Sequence, residues 1–285
     1  MTSRPRPLRP PLALVARAVV PLVAVLVGLG LLGSCAGERP SLGEARIGGT
    51  TTTAAAAETV ASTPGSTTTT TTLAVAQELG PENLLGYIAT PTGEPVVRTL
   101  AEIDAMPLDI PSTTPAGAPT TFAVIGDPTA TTGEWLEVLL PTRPNGARAW
   151  VPRSSVTITK TPMRIFVDLT GRRLRVEDGG REVFSTTTAI GTSENPTPVG
   201  ASYVTELIDN VEPGGAYGPY AFGLALHSDT LSEFGGGNGQ VGIHGTNQPQ
   251  LIGQAVSHGC VRLTNDDIEA LVDLQLPLGV PVFIT

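Results

Sequence analysis

Glycine and proline punctuate this chain so often that no long helix can run through it: 33 Gly and 26 Pro stand among 285 residues, about a fifth of the chain where ~12% is usual. Each proline removes a backbone donor and fixes φ, and each glycine raises the entropic cost of a regular element. Helical bundles are therefore disfavoured, and short strands, turns and linkers are expected. The length leaves room for one large domain or two small ones.

The first 34 residues stand apart from the rest. Arg4, Arg6, Arg9 and Arg17 occur there without one acid, followed by the uncharged apolar run Ala18–Leu32 and then Gly33, Ser34 and Cys35. That order is a charged n-region, an apolar h-region and small residues at a cleavage point, which predicts export. As a helix the apolar run reaches only ~22 Å, short of a ~30 Å hydrocarbon core. The tetrapeptide Leu32-Gly33-Ser34-Cys35 resembles a bacterial lipobox, which implies removal of residues 1–34 and a lipid on Cys35 that anchors the chain to the membrane. Losing four arginines takes the formal charge from −9 to −13, so a basic footprint for nucleic acid is absent. Residues 35–76 are rich in Thr and Ala, with Thr50–Thr53 and Thr67–Thr72 as homopolymeric runs. They lack the large apolar residues needed to offset the entropy of ordering, and read as a flexible tether.

Two folded regions follow. In residues 77–161 the runs Pro95–Leu100, Thr121–Ile125, Glu134–Leu140 and Ala147–Val156, broken by Pro, Gly and Asp, predict a small β barrel or sandwich. Trp135–Pro141, the turn Pro144-Asn145-Gly146 and the strand Ala149-Trp150-Val151 are similar to the end of a bacterial SH3-like domain, which implies a small SH3-like β barrel with a wall-binding role. Trp135 and Trp150 are read as core residues. In residues 162–285 the pattern predicts a meander of strands at Arg164–Leu169, Arg172–Glu177 and Glu182–Ala189, with further strands at Ala201–Ile208, Phe222–Leu226, Val241–His244 and Val280–Ile284. A helix starts at Thr264, spaced by Ile268, Leu271 and Val272 and ended by Pro277 and Gly279, and a shorter one covers Pro249–Ala255. The class is mainly β with one or two short helices.

The chemistry is concentrated in Gly242-Ile243-His244-Gly245-Thr246-Asn247 and Ser257-His258-Gly259-Cys260-Val261-Arg262-Leu263. Two of three histidines and the second of two cysteines lie within seventeen positions. A thiol titrating near ~8.5 needs a base or a positive field to become a nucleophile at neutral pH. If Ser257–Arg262 is extended, His258 and Cys260 project to one side, so the residues themselves leave both His244 and His258 open as the base. Other readings are a zinc centre held by His244, His258 and Cys260, an inert buried thiol, and a Cys35–Cys260 disulfide that lipidation of Cys35 would exclude.

The paired motif resembles the catalytic domain of L,D-transpeptidases of the YkuD type, and the similarity runs over residues 162–285, including Arg164–Asp168, Gly218-Pro219-Tyr220-Ala221 and Val280–Ile284. The resemblance implies Cys260 as nucleophile, His244 as its base, the Gly245 carbonyl as the group orienting the imidazole, and His258 as a residue shaping and polarising the site. It implies an oxyanion hole from the N–H groups of His258, Gly259 and Cys260, with glycine at 259 leaving room for a reacting carbonyl. Arg262, Ser257 and Tyr220 are expected at the substrate, with a salt bridge from Arg262 to Asp266 or Asp267 as the other reading. Asn210–Tyr220, carrying Tyr217 and Tyr220, is a candidate cover; His227 is read as structural or at the rim, and Gly235–Gly237 as a flexible turn. The implied reaction takes peptidoglycan stem peptides to 3→3 cross-links through a Cys260 thioester with loss of D-Ala, and needs no cofactor or metal. The expected molecule is a monomeric, exported, lipid-anchored protein facing the cell wall. An L,D-carboxypeptidase and a non-catalytic wall-binding lipoprotein are the competing readings.

Overall fold

The computed structural model describes residues 86–130, 132–209 and 214–285. The expected signal peptide, lipid site Cys35, tether and residues 210–213 of the expected cover lie outside the described residues.

Residues 86–161 hold β1 (Gly86–Pro91), β2 (Val97–Arg98), β3 (Pro107–Leu108), β4 (Phe122–Ala123), β5 (Trp135–Leu139), β6 (Arg148–Pro152) and β7 (Val156–Thr161). They form a three-stranded sheet ordered β4-β1-β7 and a four-stranded sheet ordered β3-β2-β6-β5. Antiparallel register sets Leu136 opposite Val151 and Val138 opposite Ala149. These four residues alternate inward and join Phe122, Val97 and Ala89 in one core, the period expected of a strand with one buried face. Trp135 and Trp150 fall on the opposite positions and are only half-buried. They are not core residues: the pleat turns them outward.

Residues 162–285 hold β8 (Met163–Asp168), β9 (Arg173–Asp178), β10 (Arg181–Thr187), β11 (Ile190–Gly191), β12 (Gly200–Asp209), β13 (Tyr220–His227) and β14 (Gln240–His244). After these come β15 (Ala255–Ser257), β16 (Val261–Arg262), α1 (Asn265–Asp273) and β17 (Pro281–Ile284). Eight of them make a sheet ordered β10-β9-β8-β17-β12-β13-β14-β16, and β11 pairs with β15. The expected meander is present as β8, β9 and β10. The expected short helix over 249–255 is a single 3-10 turn, Pro249–Leu251, that passes into β15.

One face of the sheet is fully apolar. Val167, Val204, Phe222, Leu224, Ile243, Val261 and Val282 pack there against Ile268 and Leu271 of α1. Burying each large aliphatic side chain contributes roughly 1.5–3 kcal/mol. Thr264 caps the helix, its Oγ1 accepting the N–H of Asp267 at 3.1 Å, as the capping pattern predicts. The helix ends at Asp273 and the chain turns through Gln275 at φ 55°, before the proline and glycine expected to stop it. The opposite face is covered at one end, where Ala201, Tyr203, Ala225 and Phe283 pack against Ala123 and Leu139 of the preceding region. Towards β14 and β16 that face is bare, and a cleft lies on it.

Candidate active site

The cleft, about 660 Å³, is lined by His244 and Cys260 together with Glu206, Gly223 and Gly242. Of its two chemical residues, His244 ends β14 and Cys260 directly precedes β16, the parallel strand beside it. In β14 and β16, Ile243 pairs with Val261 and His244 with Arg262. Ile243 and Val261 point into the core, so by alternation His244, Cys260 and Arg262 share the opposite, cleft-side face. Core packing thus places imidazole, thiol and guanidinium together.

His244 is 3% exposed, and its Nδ1 lies 2.6 Å from the Gly245 carbonyl oxygen. A carbonyl only accepts, so Nδ1 carries the hydrogen and Nε2 is left as a base. Burial pushes the imidazole down to about 4, the Gly245 carbonyl opposes that shift, and the charge of Arg262 adds to it. Cys260 is a free, half-buried thiol, and its Sγ receives the Gly242 N–H at 3.4 Å. Burial raises its pKa, while the Gly242 N–H and Arg262 pull it back. Both shifts favour the neutral forms, thiol and imidazole, in the resting site.

The Ser257–Cys260 turn is not extended. Gly259 has φ +119°, a region that L side chains rarely enter. A Cβ there would meet only Pro196 O at 3.5 Å and Val241 Cγ2 at 3.8 Å; the backbone angle, rather than the crowding expected from the sequence, demands glycine. Ser257 is 1% exposed, and its Oγ donates to Cys260 O at 2.6 Å while accepting the Gly259 N–H at 3.2 Å. It closes the turn instead of reaching a substrate, and it occupies one N–H expected in the oxyanion hole. The break at Gly259 also separates His258 from Cys260: His258 is exposed and stacks on Phe234 at 4.9 Å between ring centres. Among the described residues no three His, Cys, Asp or Glu side chains converge as metal ligands would.

Behind His244 the backbone is tightly fitted. A Cβ on Gly245 would sit 2.5 Å from Asn265 Oδ1, and one on Gly218, at φ +65°, would sit 2.7 Å from Gly245 Cα. Asn265 Oδ1 also accepts the Thr246 N–H at 2.8 Å. The first residue of α1 thereby fixes the peptide whose carbonyl orients the imidazole. Tyr217 stands over His244, ring centres 4.7 Å apart, with its hydroxyl 3.3 Å from where a Gly235 Cβ would lie. Its pKa is raised by burial and by Cys260, with Arg262 opposing. Tyr220, expected at the substrate, belongs to the alternating set Tyr220, Phe222, Leu224 and packs on the core side. Tyr217 is the tyrosine of this segment that lines the cleft.

Arg262 is held by its backbone, which exchanges both hydrogen bonds with Ala189. Its Nε is buried without a hydrogen-bond partner. Among the described residues no carboxylate pairs with it, and Asp267 is engaged by Thr186 and Thr264. Gly235 and Gly236, both at positive φ, form the tight turn of a small hairpin closed by two bonds between Phe234 and Gly237. His227 is 4% exposed and its Nε2 meets Asn238 at 3.1 Å, a structural place. Sequence reasoning missed Gly242 as a donor to sulfur, Phe234 as a cleft wall and Glu206 on the floor; the last was visible as the one carboxyl among the predominantly apolar residues Ala201–Ile208.

Residues 162–284 match the family model described as YkuD: L,D-transpeptidase catalytic domain. A protein named YkuD from Bacillus licheniformis, a candidate L,D-transpeptidase, is 37% identical over 124 residues, which are 44% of this chain and 66% of that one. Its namesake in Bacillus subtilis is 32% identical over 123 residues, 43% of this chain and again 66% of the relative. The chain thus spans slightly less than two thirds of either relative. Among solved structures, an Enterococcus faecium L,D-transpeptidase shows 22% identity, covering 43% of this chain and 49% of that one with TM-score 0.34. A Mycobacterium tuberculosis L,D-transpeptidase shows 18% identity, covering 58% and 90% with TM-score 0.39.

Proposed function

Residues 162–284 being an L,D-transpeptidase catalytic domain of the YkuD family, we propose that this protein cross-links peptidoglycan stems 3→3 through a thioester on Cys260. The observation that carries the reading is the pairing of His244, anchored through Nδ1 on Gly245, with a free Cys260 on one face of adjacent strands in one cleft. Nε2 takes the thiol proton as Sγ attacks the carbonyl of the third stem residue. The tetrahedral intermediate collapses to a thioester, the D-Ala amine leaves with the proton from Nε2, and an amine of a neighbouring stem attacks in turn. The incoming amine passes its proton to Nε2, which returns it to the departing sulfur. Arg262 favours the thiolate and disfavours the imidazolium, so its charge helps Sγ give up the proton and then helps Nε2 pass that proton on to the leaving amine.

The remaining parts complete a proposal of location. A lipid on Cys35, a tether over 35–76 and an SH3-like wall-binding region over 77–161 would hold the catalytic domain at the membrane within reach of the wall. The test is incubation with a disaccharide tetrapeptide. D-Ala release, an acyl adduct on Cys260 and cross-linked dimer are expected, and Cys260→Ala should abolish all three. Tripeptide product without dimer would make the enzyme an L,D-carboxypeptidase; no adduct would leave a wall-binding lipoprotein.

A further inference from the structure

The floor of the cleft carries a carboxylate that the reaction above does not use. Glu206 is 2% exposed yet lines the cleft. Its Oε2 accepts the Ala116 N–H at 3.2 Å, and no donor among the described residues meets Oε1. None of the described lysines or arginines pairs with it. The nearby Gln240 amide is committed to Thr205 Oγ1 and Leu224 O, each at 3.0 Å. A carboxylate so buried and half-satisfied is costly unless something arrives to pair with it.

Its place in the sheet indicates what arrives. Glu206 pairs with Gly223 across β12 and β13, and Gly223 with Gly242 across β13 and β14. Gly242 is level with Cys260, because its successor Ile243 pairs with Val261. Glu206, Gly223, Gly242 and Cys260, the residue just before β16, thus form one row across the sheet, with two glycines paving the middle. Strands lie ~4.8 Å apart, so the row spans ~14 Å between its end Cα atoms. Both end side chains lean inward. A Cβ on Gly223 would fall 2.8 Å from Glu206 Cγ and 2.8 Å from Oε1, while Sγ takes the Gly242 N–H. Carboxylate and sulfur then face each other across the two glycines at a separation on the order of 5–10 Å, with Gln240 Nε2 beside the carboxylate, 2.9 Å from the same Gly223 Cβ position.

We propose that Glu206 is a specificity residue that binds the side-chain ammonium of the donor's third stem residue and so selects a diamino acid at the acylating position. This rests on the transpeptidase reading of the same cleft. An acyl group on Sγ whose side chain has three or four carbons carries its amine ~5–6 Å from its Cα, enough to cross the two glycines to Oε1. An aliphatic side chain of equal length leaves that oxygen unpaired. The acceptor amine does not fit the role, since it must stand within bonding approach of the thioester carbon.

The test compares two tetrapeptide donors, one with lysine and one with norleucine at the third position, using full-length protein in detergent and following D-Ala release and Cys260 acylation. The wild type should acylate about 30-fold more efficiently from the lysine donor. Glu206→Gln keeps an acceptor for the Ala116 N–H, so it should lose that preference while leaving the norleucine rate within about threefold. Glu206→Asp should restore part of the preference. Equal loss with both donors, an unchanged preference in Glu206→Gln, or an effect confined to the acceptor step would overturn the proposal. Absence of acylation from both donors would overturn the transpeptidase reading and this inference with it, whereas acylation indifferent to the amine would overturn the inference alone.

Discussion

At the level of single residues, burial shifts both members of the proposed catalytic pair towards their neutral forms, the imidazole down and the thiol up. The thiol should therefore show no ready-made thiolate: its alkylation rate at pH 7 should be low and should climb through the alkaline range. Arg262→Gln should move that climb to higher pH and Arg262→Lys should move it less, because a guanidinium charge favours the thiolate. A titration midpoint below 7 in the free enzyme would contradict the neutral pair. The imidazole also makes a statement about stability. Its folded value of about 4 lies below the ordinary imidazole value of 6.5, so the unfolded chain binds the proton first as pH falls. Stability should drop between pH 6.5 and 4 by up to about 3 kcal/mol from this group. Urea melts should show that His244→Gln lacks this part of the acid slope.

Among the elements, the wall of the cleft is held from outside the catalytic region. Arg143 donates to the carbonyls of Asn238, Ser228 and Leu231 at 2.7–3.0 Å. Asn145 imitates a strand, giving Nδ2 to His227 O at 2.7 Å and taking the His227 N–H at 2.8 Å. Both residues belong to the β5–β6 hairpin and clamp the segment between β13 and β14 that carries Phe234. Replacing either by Ala should raise KM several-fold with a smaller change in kcat, measured by D-Ala release, because the wall loosens while His244 and Cys260 stay on their strands. An unchanged KM would show that the wall holds itself.

These same elements show what can be read from a chain and what cannot. His244 and Cys260 were legible because thiol chemistry requires particular residue types in a compact motif, and the Thr264 cap because capping is local. The sequence points to Tyr220 at the substrate whereas Tyr217 lines the cleft, because the choice depends on where β13 starts and which way it alternates, and that is set by the core. His258 was set beside Cys260 because extension was assumed through a glycine that takes a positive φ. Glu206 stayed unassigned because its partner row depends on the registers of four strands, with a shift between Val204 and Glu206, which no local pattern carries.

Over the whole described molecule, the sheet of residues 162–285 depends on the preceding region to cover one end of one face. Tyr203 and Phe283 are covered by Ala123 and Leu139, and Pro115 and Ala116 supply part of the cleft wall. A chain begun at residue 162 should expose this apolar surface, melt several degrees lower than one begun at residue 77, and bind a hydrophobic dye. An equal melting temperature would show that the two regions are energetically independent. The parallel seam between β14 and β16 bears differently on how long the site survives. β16 ends the eight-stranded ladder, but the Ala189–Arg262 bridge closes its outer side and Ile243 and Val261 are buried in the core beneath, so the register of the reacting side chains should not be lost by fraying of a terminus. The amides of Ile243 and Val261 should exchange with deuterium only when the entire domain opens, so that damage short of global unfolding leaves the enzyme competent.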